Sequence, residues 1–153
     1  MSPERFTLDT NILIYAVDRS AGEKHRIAAE VVDRSLDCWC VLTLQALAEF
    51  VFAVTRKDLV PMPEAVAQAR NWLTAFPVVA ADARALDLAY AAAQGRRFGL
   101  FDALLLATAR FAGCSLVLSE NMHDGGTFEG VAIRNPLVEG GIPQDLRRVM
   151  GLG

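Results

Sequence analysis

The sequence predicts an α/β fold in which helices cover both faces of a central, mainly parallel sheet, giving a three-layer α/β/α sandwich. Short apolar strand-like runs alternate with amphipathic helical runs along the chain, as in parallel α/β proteins. The length of 153 residues corresponds to about one domain of roughly 150 residues. No repeat or long Pro/Gly/Ser linker divides the sequence, so a single domain is expected over residues 1–153.

The first half of the chain contains two strand-like and three helical runs. Arg5 to Leu8 reads as a short strand, and Asp9 stands where a helix N-cap is expected, before a periodic apolar run. A second helix is predicted from Glu23 to Leu36. Trp39 to Thr43 is continuously apolar and partly β-branched, which is typical of a buried parallel strand. A third helix is predicted from Leu44 to Lys57.

The second half repeats this alternation after two prolines break the chain. The predicted helices are Pro63 to Ala75, Asp82 to about Gly95, and Phe101 to Ala112, and the predicted strands are Val78–Val79, Ser115 to Leu118 and Val131 to Arg134.

Composition limits the classes of function. The net charge of −3 provides no global positive field, so any nucleic-acid site must be local. No apolar stretch approaches the roughly 20 residues of a membrane span, and Met1 to Glu4 does not begin a secretory signal, so a cytosolic protein without a membrane partner is expected. The 3 cysteines are expected to be reduced core thiols.

Three acidic residues stand where an α/β protein binds ligands, outside the carboxyl ends of its parallel strands or on helices nearby. Asp9 follows the first strand, and Asp102 begins a helix after a Gly-containing turn. Glu49 lies inside an apolar helix face with no Lys or Arg three or four residues away, so its burial costs several kcal/mol unless something pairs with it. Convergence of these oxygen ligands would suit Mg²⁺ or Mn²⁺.

Each acid also has an ordinary structural explanation. Asp9 alone would be a helix N-cap, and Asp102 alone would favour a helix N-terminus through the helix dipole. Glu49 alone would be a helix residue that reaches solvent. Their joint placement favours a metal site, because it would otherwise need three independent explanations.

The motifs Leu8-Asp9-Thr10-Asn11-Ile12-Leu13-Ile14-Tyr15 and Phe101-Asp102-Ala103-Leu104-Leu105-Leu106-Ala107-Thr108-Ala109, with the lone Glu49 between them, resemble the PIN-domain family. The resemblance is strongest to VapC-type toxins of toxin-antitoxin pairs, and it covers nearly the whole chain. It implies a parallel α/β/α sandwich and Mg²⁺- or Mn²⁺-dependent cleavage of RNA to a 5′-phosphate and a 3′-hydroxyl. It also implies a homodimer and an antitoxin that blocks the site.

Carried over position by position, the resemblance makes Asp9, Glu49 and Asp102 the catalytic acids and metal ligands. Thr10, Asn11 and Ser119 would orient them. At the fourth acidic position of the family this chain has Asn121 in place of Asp. Asn121 is therefore a catalytic candidate with one charge fewer, and Glu120, as a metal ligand, or Asp124 could compensate.

Local basic residues are the candidates for contacting RNA phosphates. Arg96 and Arg97 precede Asp102 and are the first choice, and further candidates are Arg19, Lys24, Arg56 and Lys57. The favoured function is a metal-dependent endoribonuclease toxin. Two alternatives stay open: a PIN-type nuclease that processes RNA or DNA structures without an antitoxin, and a non-catalytic binding protein whose acids are structural.

Overall fold

The computed structural model describes residues 4–152; the ends of the expected domain and most of the Met1 to Glu4 segment lie outside it. Its strands are β1 (Phe6–Leu8), β2 (Cys40–Thr43), β3 (Val78–Val79), β4 (Leu116–Leu118), β5 (Thr127–Phe128) and β6 (Val131–Arg134). Its α-helices are α1 (Thr10–Val17), α2 (Glu23–Ser35), α3 (Leu44–Arg56), α4 (Met62–Ala75), α5 (Ala83–Gln94), α6 (Leu100–Phe111) and α7 (Gln144–Val149).

The strands form one 6-stranded sheet in the order β3-β2-β1-β4-β6-β5. Every neighbouring pair is parallel except β5 and β6, which are antiparallel. The mainly parallel sheet predicted from the sequence is therefore confirmed. β1 lies between β2 and β4, so the carboxyl ends of these three strands emerge side by side at one edge.

Two separate hydrophobic cores lie on the two faces of the sheet. Successive strand residues point to opposite faces, and Leu42 belongs to one core while Val41 belongs to the other. The first core contains residues of α1, α2, α3, α4 and α7, with Phe50 packed edge-to-face on Trp72 at 4.8 Å between ring centroids. The second contains residues of α5 and α6. This arrangement confirms the three-layer α/β/α fold.

Several local features differ from the sequence prediction. β2 begins at Cys40, because residues 36–39 form turns after α2. Helix α4 begins at Met62, which places Pro63 in its first turn, where a missing N–H costs nothing. β5 and α7 are absent from the prediction, since elements of 2 and 6 residues carry almost no periodic signal.

The three cysteines form no disulfide. Cys40 and Cys114 are buried, and burial raises the pKa of the Cys114 thiol to about 11. Cys38 is only half-buried, because it lies in the turns before β2 and packs at the edge of the first core. Over residues 4–152, no helix has the length and apolar character needed to cross a bilayer.

Candidate active site

Asp9 is the buried centre of the site. It follows β1, caps α1, and retains 7% of its exposure. One carboxylate oxygen accepts a hydrogen bond from the Thr10 backbone N–H at 2.7 Å. The other accepts from the Ser119 hydroxyl at 2.7 Å and from the Asn11 side-chain amide at 3.2 Å. The residue predicted as a metal ligand is therefore also the N-cap of α1.

Ser119 and Asn11 connect Asp9 to the segment after β4. The Ser119 hydroxyl also accepts the Asn121 backbone N–H at 3.2 Å and the Asn11 amide at 3.3 Å. The side-chain amide oxygen of Asn11 accepts the backbone N–H of Glu120 at 3.1 Å. These contacts hold the segment after β4 against α1. Together with the Thr10 bonds, they place Thr10, Asn11 and Ser119 against the carboxylates that the resemblance predicts they orient.

Glu49 is half-buried on α3, and hydrogen bonds fix both of its carboxylate oxygens. One oxygen accepts the Thr10 hydroxyl at 3.2 Å, and the other accepts the Gln45 side-chain amide at 2.8 Å. The same Gln45 nitrogen donates to the backbone carbonyl of Phe101 at 2.9 Å. Gln45 therefore links the helix that carries Glu49 to the helix that carries Asp102.

Asp102 lies in the first turn of α6, with its side chain partly open to solvent. Partial burial and then the negative charge of Glu49 raise the pKa of Asp102. Burial is also the largest cause that raises the pKa of Asp9, and the charges of Asp102 and Glu49 raise it further, against the lowering effect of the bonds from Ser119 and Thr10. The three carboxylates are close enough to repel one another.

These acids open onto one cavity of about 660 Å³. Asp9, Glu49, Asp102 and Asn121 all line it, although they come from four different parts of the chain. The rest of the wall is mixed, and it consists of Thr10, Asn11, Ile14, Tyr15, Asp18, Phe52, Ala53, Lys57, Leu59 and Phe101. The structure thus brings together the four residues that the sequence nominated as catalytic.

Glu120 departs from the sequence prediction. One of its oxygens accepts the Tyr15 hydroxyl at 2.9 Å, and the other pairs with Lys24 at 2.8 Å. Both oxygens are thus occupied by α1 and α2, and Glu120 does not line the cavity. Asp124 is also engaged elsewhere, since it accepts Arg134 at 3.2 Å and the backbone N–H of Asn135 at 2.9 Å. Neither acid lines the cavity beside Asn121.

The two arginines predicted to contact RNA lie outside the cavity wall. Arg97 donates to the Thr127 carbonyl, and its guanidinium lies 5.3 Å from the Phe98 ring centroid. Arg96 occupies the turn after α5 with a positive φ of 59°. The basic residue that does line the cavity is Lys57, which was only a secondary candidate.

The donor atoms fit a hydrated divalent cation better than a closed metal cage. No group of three His, Cys, Asp or Glu side chains between residues 4 and 152 is arranged to hold a metal ion. Mg²⁺, however, retains several waters and usually takes only one or two protein carboxylates. Within the same residues no Lys or Arg forms an ion pair with Asp9, Glu49 or Asp102. Uncompensated oxygen donors around an open cavity provide the environment that such an ion needs.

Comparison with known families gives a match to the PIN domain over residues 6–123. The chain belongs to the PIN domain family. This confirms the resemblance inferred from the motifs, and the matched segment includes Asp9, Glu49, Asp102 and Asn121. No match is found among curated proteins.

Solved structures share the PIN fold at low sequence identity. VapC20 of Mycobacterium tuberculosis, a toxin that cleaves the sarcin-ricin loop, is 19% identical with a TM-score of 0.60, covering 73% of this chain and 86% of its own. A toxin-antitoxin complex from Klebsiella pneumoniae is 22% identical with a TM-score of 0.61, covering 85% and 96%. DNA-bound VapBC from Salmonella typhimurium is 18% identical with a TM-score of 0.62, covering 86% and 98%.

Gln45 and Tyr15 are among the residues of this PIN site that sequence reasoning missed. Gln45 stands four residues before Glu49, a spacing at which helix side chains meet, so a hydrogen bond between them could have been predicted. Tyr15 lines the cavity and binds Glu120, which is 105 positions away along the chain. No local pattern reveals a contact of that separation.

Proposed function

We propose that this PIN protein is a Mg²⁺- or Mn²⁺-dependent endoribonuclease and the toxin of a toxin-antitoxin pair, with residues 1–153 forming a single nuclease domain. The observation that carries the proposal is the meeting of Asp9, Glu49 and Asp102 at one cavity without a cationic partner. Burial first, and repulsion between the carboxylates second, raise the pKa of Asp9 and Asp102, and a bound cation would offset both costs of the ionised form.

Each residue then has a chemical task. Asp9, Glu49 and Asp102 would hold the cation, one or two of them directly and the rest through its bound waters. The fixed oxygens of Asp9 and Glu49 would set its position. A bound divalent ion lowers the pKa of water and neutralises charge that develops on a phosphodiester. Asn121 presents an amide in place of a carboxylate, so the cavity carries one negative charge fewer to attract a second ion. Thr10, Asn11 and Ser119 keep the carboxylates oriented.

RNA would approach through the mouth of the cavity, where Lys57 can contact a phosphate. Arg97 is already bound to a carbonyl and a ring, so it is a weaker candidate for this contact than Lys57. Because the net charge of the chain is −3, affinity for RNA should depend on a few such contacts and fall as salt concentration rises.

An antitoxin and a second copy of the chain are the proposed protein partners. VapBC and other toxin-antitoxin complexes share this fold. An antitoxin segment would lay apolar side chains against the cavity wall and extend a basic side chain to the three acids, in competition with the metal. We place the toxin and its antitoxin in the cytosol, where the RNA substrate and the antitoxin would be made.

The test is RNA cleavage by purified protein with added Mg²⁺ or Mn²⁺, followed by sequencing of the RNA ends. Wild-type protein should leave 5′-phosphate ends, and Asp102→Asn should reduce the rate by orders of magnitude at an unchanged fold. A chelator should abolish the wild-type reaction. Metal-independent cleavage, or wild-type rates for Asp102→Asn, would refute the assignment. An active nuclease without an antitoxin in its operon would instead favour a PIN nuclease of RNA processing.

A further inference from the structure

Two phenylalanine rings stand exposed at the mouth of the acidic cavity. Phe101 is 65% exposed and Phe52 is 63% exposed, and within residues 4–152 no large hydrophobic side chain exceeds them. Both line the cavity that contains the three carboxylates. Single exposed apolar residues are ordinary on a protein surface, but two exposed rings at one cavity that also contains carboxylates mark a contact surface.

The two rings share helices with two of the acids. Phe52 follows Glu49 by three residues on α3, so the two lie on the same face of that helix. Phe101 directly precedes Asp102 in the first turn of α6. The Gln45 amide joins these helices by bonding Glu49 and the Phe101 carbonyl, which fixes the two ring-bearing helices relative to each other.

Positive charge lies next to the rings. The guanidinium of Arg56 is 5.7 Å from the Phe52 ring centroid, and Lys57 lines the cavity. Acids in the cavity are thus bordered by aromatic rings and then by cations. Grooves that bind single-stranded nucleic acid combine aromatic faces for the bases with cations for the backbone.

We propose that Phe52 and Phe101 are base-stacking residues that hold unpaired nucleotides of the RNA strand at the mouth of the active site. This inference rests on the proposed ribonuclease function and deepens it. RNA is favoured over an apolar protein segment because the rings adjoin both the proposed phosphate-cleaving acids and two cations that match phosphate charge. Stacking tolerates every base, since each has a π face, so these rings add affinity with little sequence preference.

The experiment measures binding in the Asp102→Asn background, which prevents cleavage. The probe is a short single-stranded RNA that carries 2-aminopurine, whose fluorescence is quenched when the base stacks on a ring. Phe52→Leu and Phe101→Leu keep an apolar side chain but remove the aromatic face. Each should weaken RNA binding about tenfold, equivalent to about 1.4 kcal/mol, and reduce the quenching. Phe52→Trp should restore both.

Phe111→Leu is the matched control. Phe111 is also an exposed ring on α6, 39% exposed with the Arg84 guanidinium 4.5 Å from its centroid, but it does not line the cavity. This variant should leave RNA binding unchanged.

Equal binding and quenching by all three leucine variants would overturn the stacking proposal, and RNA cleavage by the wild type would still preserve the proposed function. Leucine variants that keep RNA affinity but lose antitoxin affinity would overturn it in favour of a protein-docking surface. Failure of the parent Asp102→Asn protein to bind RNA, with no cleavage by the wild type, would remove the proposed function itself.

Discussion

Replacing Ser119 with alanine should destabilise the protein through a single oxygen atom. The Ser119 side chain is 0% exposed, and its hydroxyl donates to Asp9 at 2.7 Å. A hydrogen bond to a charged group contributes about 1.5–3 kcal/mol. The substitution also removes the acceptor of the Asn121 backbone N–H. We expect a loss of about 2–3 kcal/mol in the free energy of unfolding, or about 5–10 °C in Tm for a domain of this size.

The loss should depend on pH with a defined sign. The Ser119 hydroxyl lowers the pKa of Asp9 against the larger raising effect of burial. In Ser119→Ala the folded-state pKa of Asp9 therefore rises further, and the mutant retains a proton over a range where the wild type has lost it. The stability difference between the two proteins should grow as pH rises through that range and shrink as Asp9 becomes protonated in both.

The matched control lies at the other end of the same strand. Ser115 immediately precedes β4, is exposed, and donates to Glu4 at 2.9 Å. Ser115→Ala should change stability by no more than about 0.5 kcal/mol. Thermal melts of both variants in metal-free buffer at several pH values make the comparison. Equal melting temperatures for the two variants, or a pH-independent deficit for Ser119→Ala, would refute the assigned role of the hydroxyl.

Substitutions of Asp102, Asn121 and Glu120 should each have a distinct effect on stability or on the metal requirement. Asp102→Asn should stabilise the metal-free protein at pH 7. Burial and the Glu49 charge raise the pKa of Asp102 above 3.8, so the wild type loses stability as pH rises through that raised value. Calorimetry with a chelator should show a higher Tm and a flatter pH profile for the variant than for the wild type. Asn121→Asp should lower the Mg²⁺ concentration for half-maximal cleavage by restoring a carboxylate to the cavity, and an unchanged requirement in a metal titration would contradict this. Glu120→Gln should weaken the contact with Lys24 and lower the Tm slightly without changing the Mg²⁺ requirement, whereas a raised requirement would return Glu120 to the metal site.

The acids of the site could be predicted because each stands at a position where an α/β protein binds ligands or where a charge is unexpected. Asp9 follows a strand, Asp102 begins a helix, and Glu49 interrupts an apolar helix face. The α/β/α layers could also be predicted, because buried parallel strands and amphipathic helices have distinct periodicities in the sequence. The residue type of each acid and its place relative to a strand or helix can both be read from the sequence.

The surroundings of the acids could not be predicted, because tertiary contacts decide them. The sequence predicts Glu120 as a metal ligand. In the structure its carboxylate contacts Tyr15 of α1 and Lys24 of α2, each about a hundred positions away along the chain. The sequence predicts that Arg97 contacts RNA phosphates, whereas in the structure its guanidinium donates to a backbone carbonyl of the short strand β5. Single charged residues near a site are thus less predictable than the buried acids that form it.

The central position of β1 also determines when the site can exist during synthesis. Asp9 lies at the end of a strand whose neighbour β4 is made about 110 residues later. Until β4 pairs with β1, Asp9 lacks the Ser119 hydroxyl, and before α6 is made there is no Asp102. A ribosome adds about 5–20 residues per second, so a nascent chain passes several seconds with its first acid in place and no complete site. A protein that cuts RNA would therefore leave the messenger and ribosome that produce it untouched until its sheet closes.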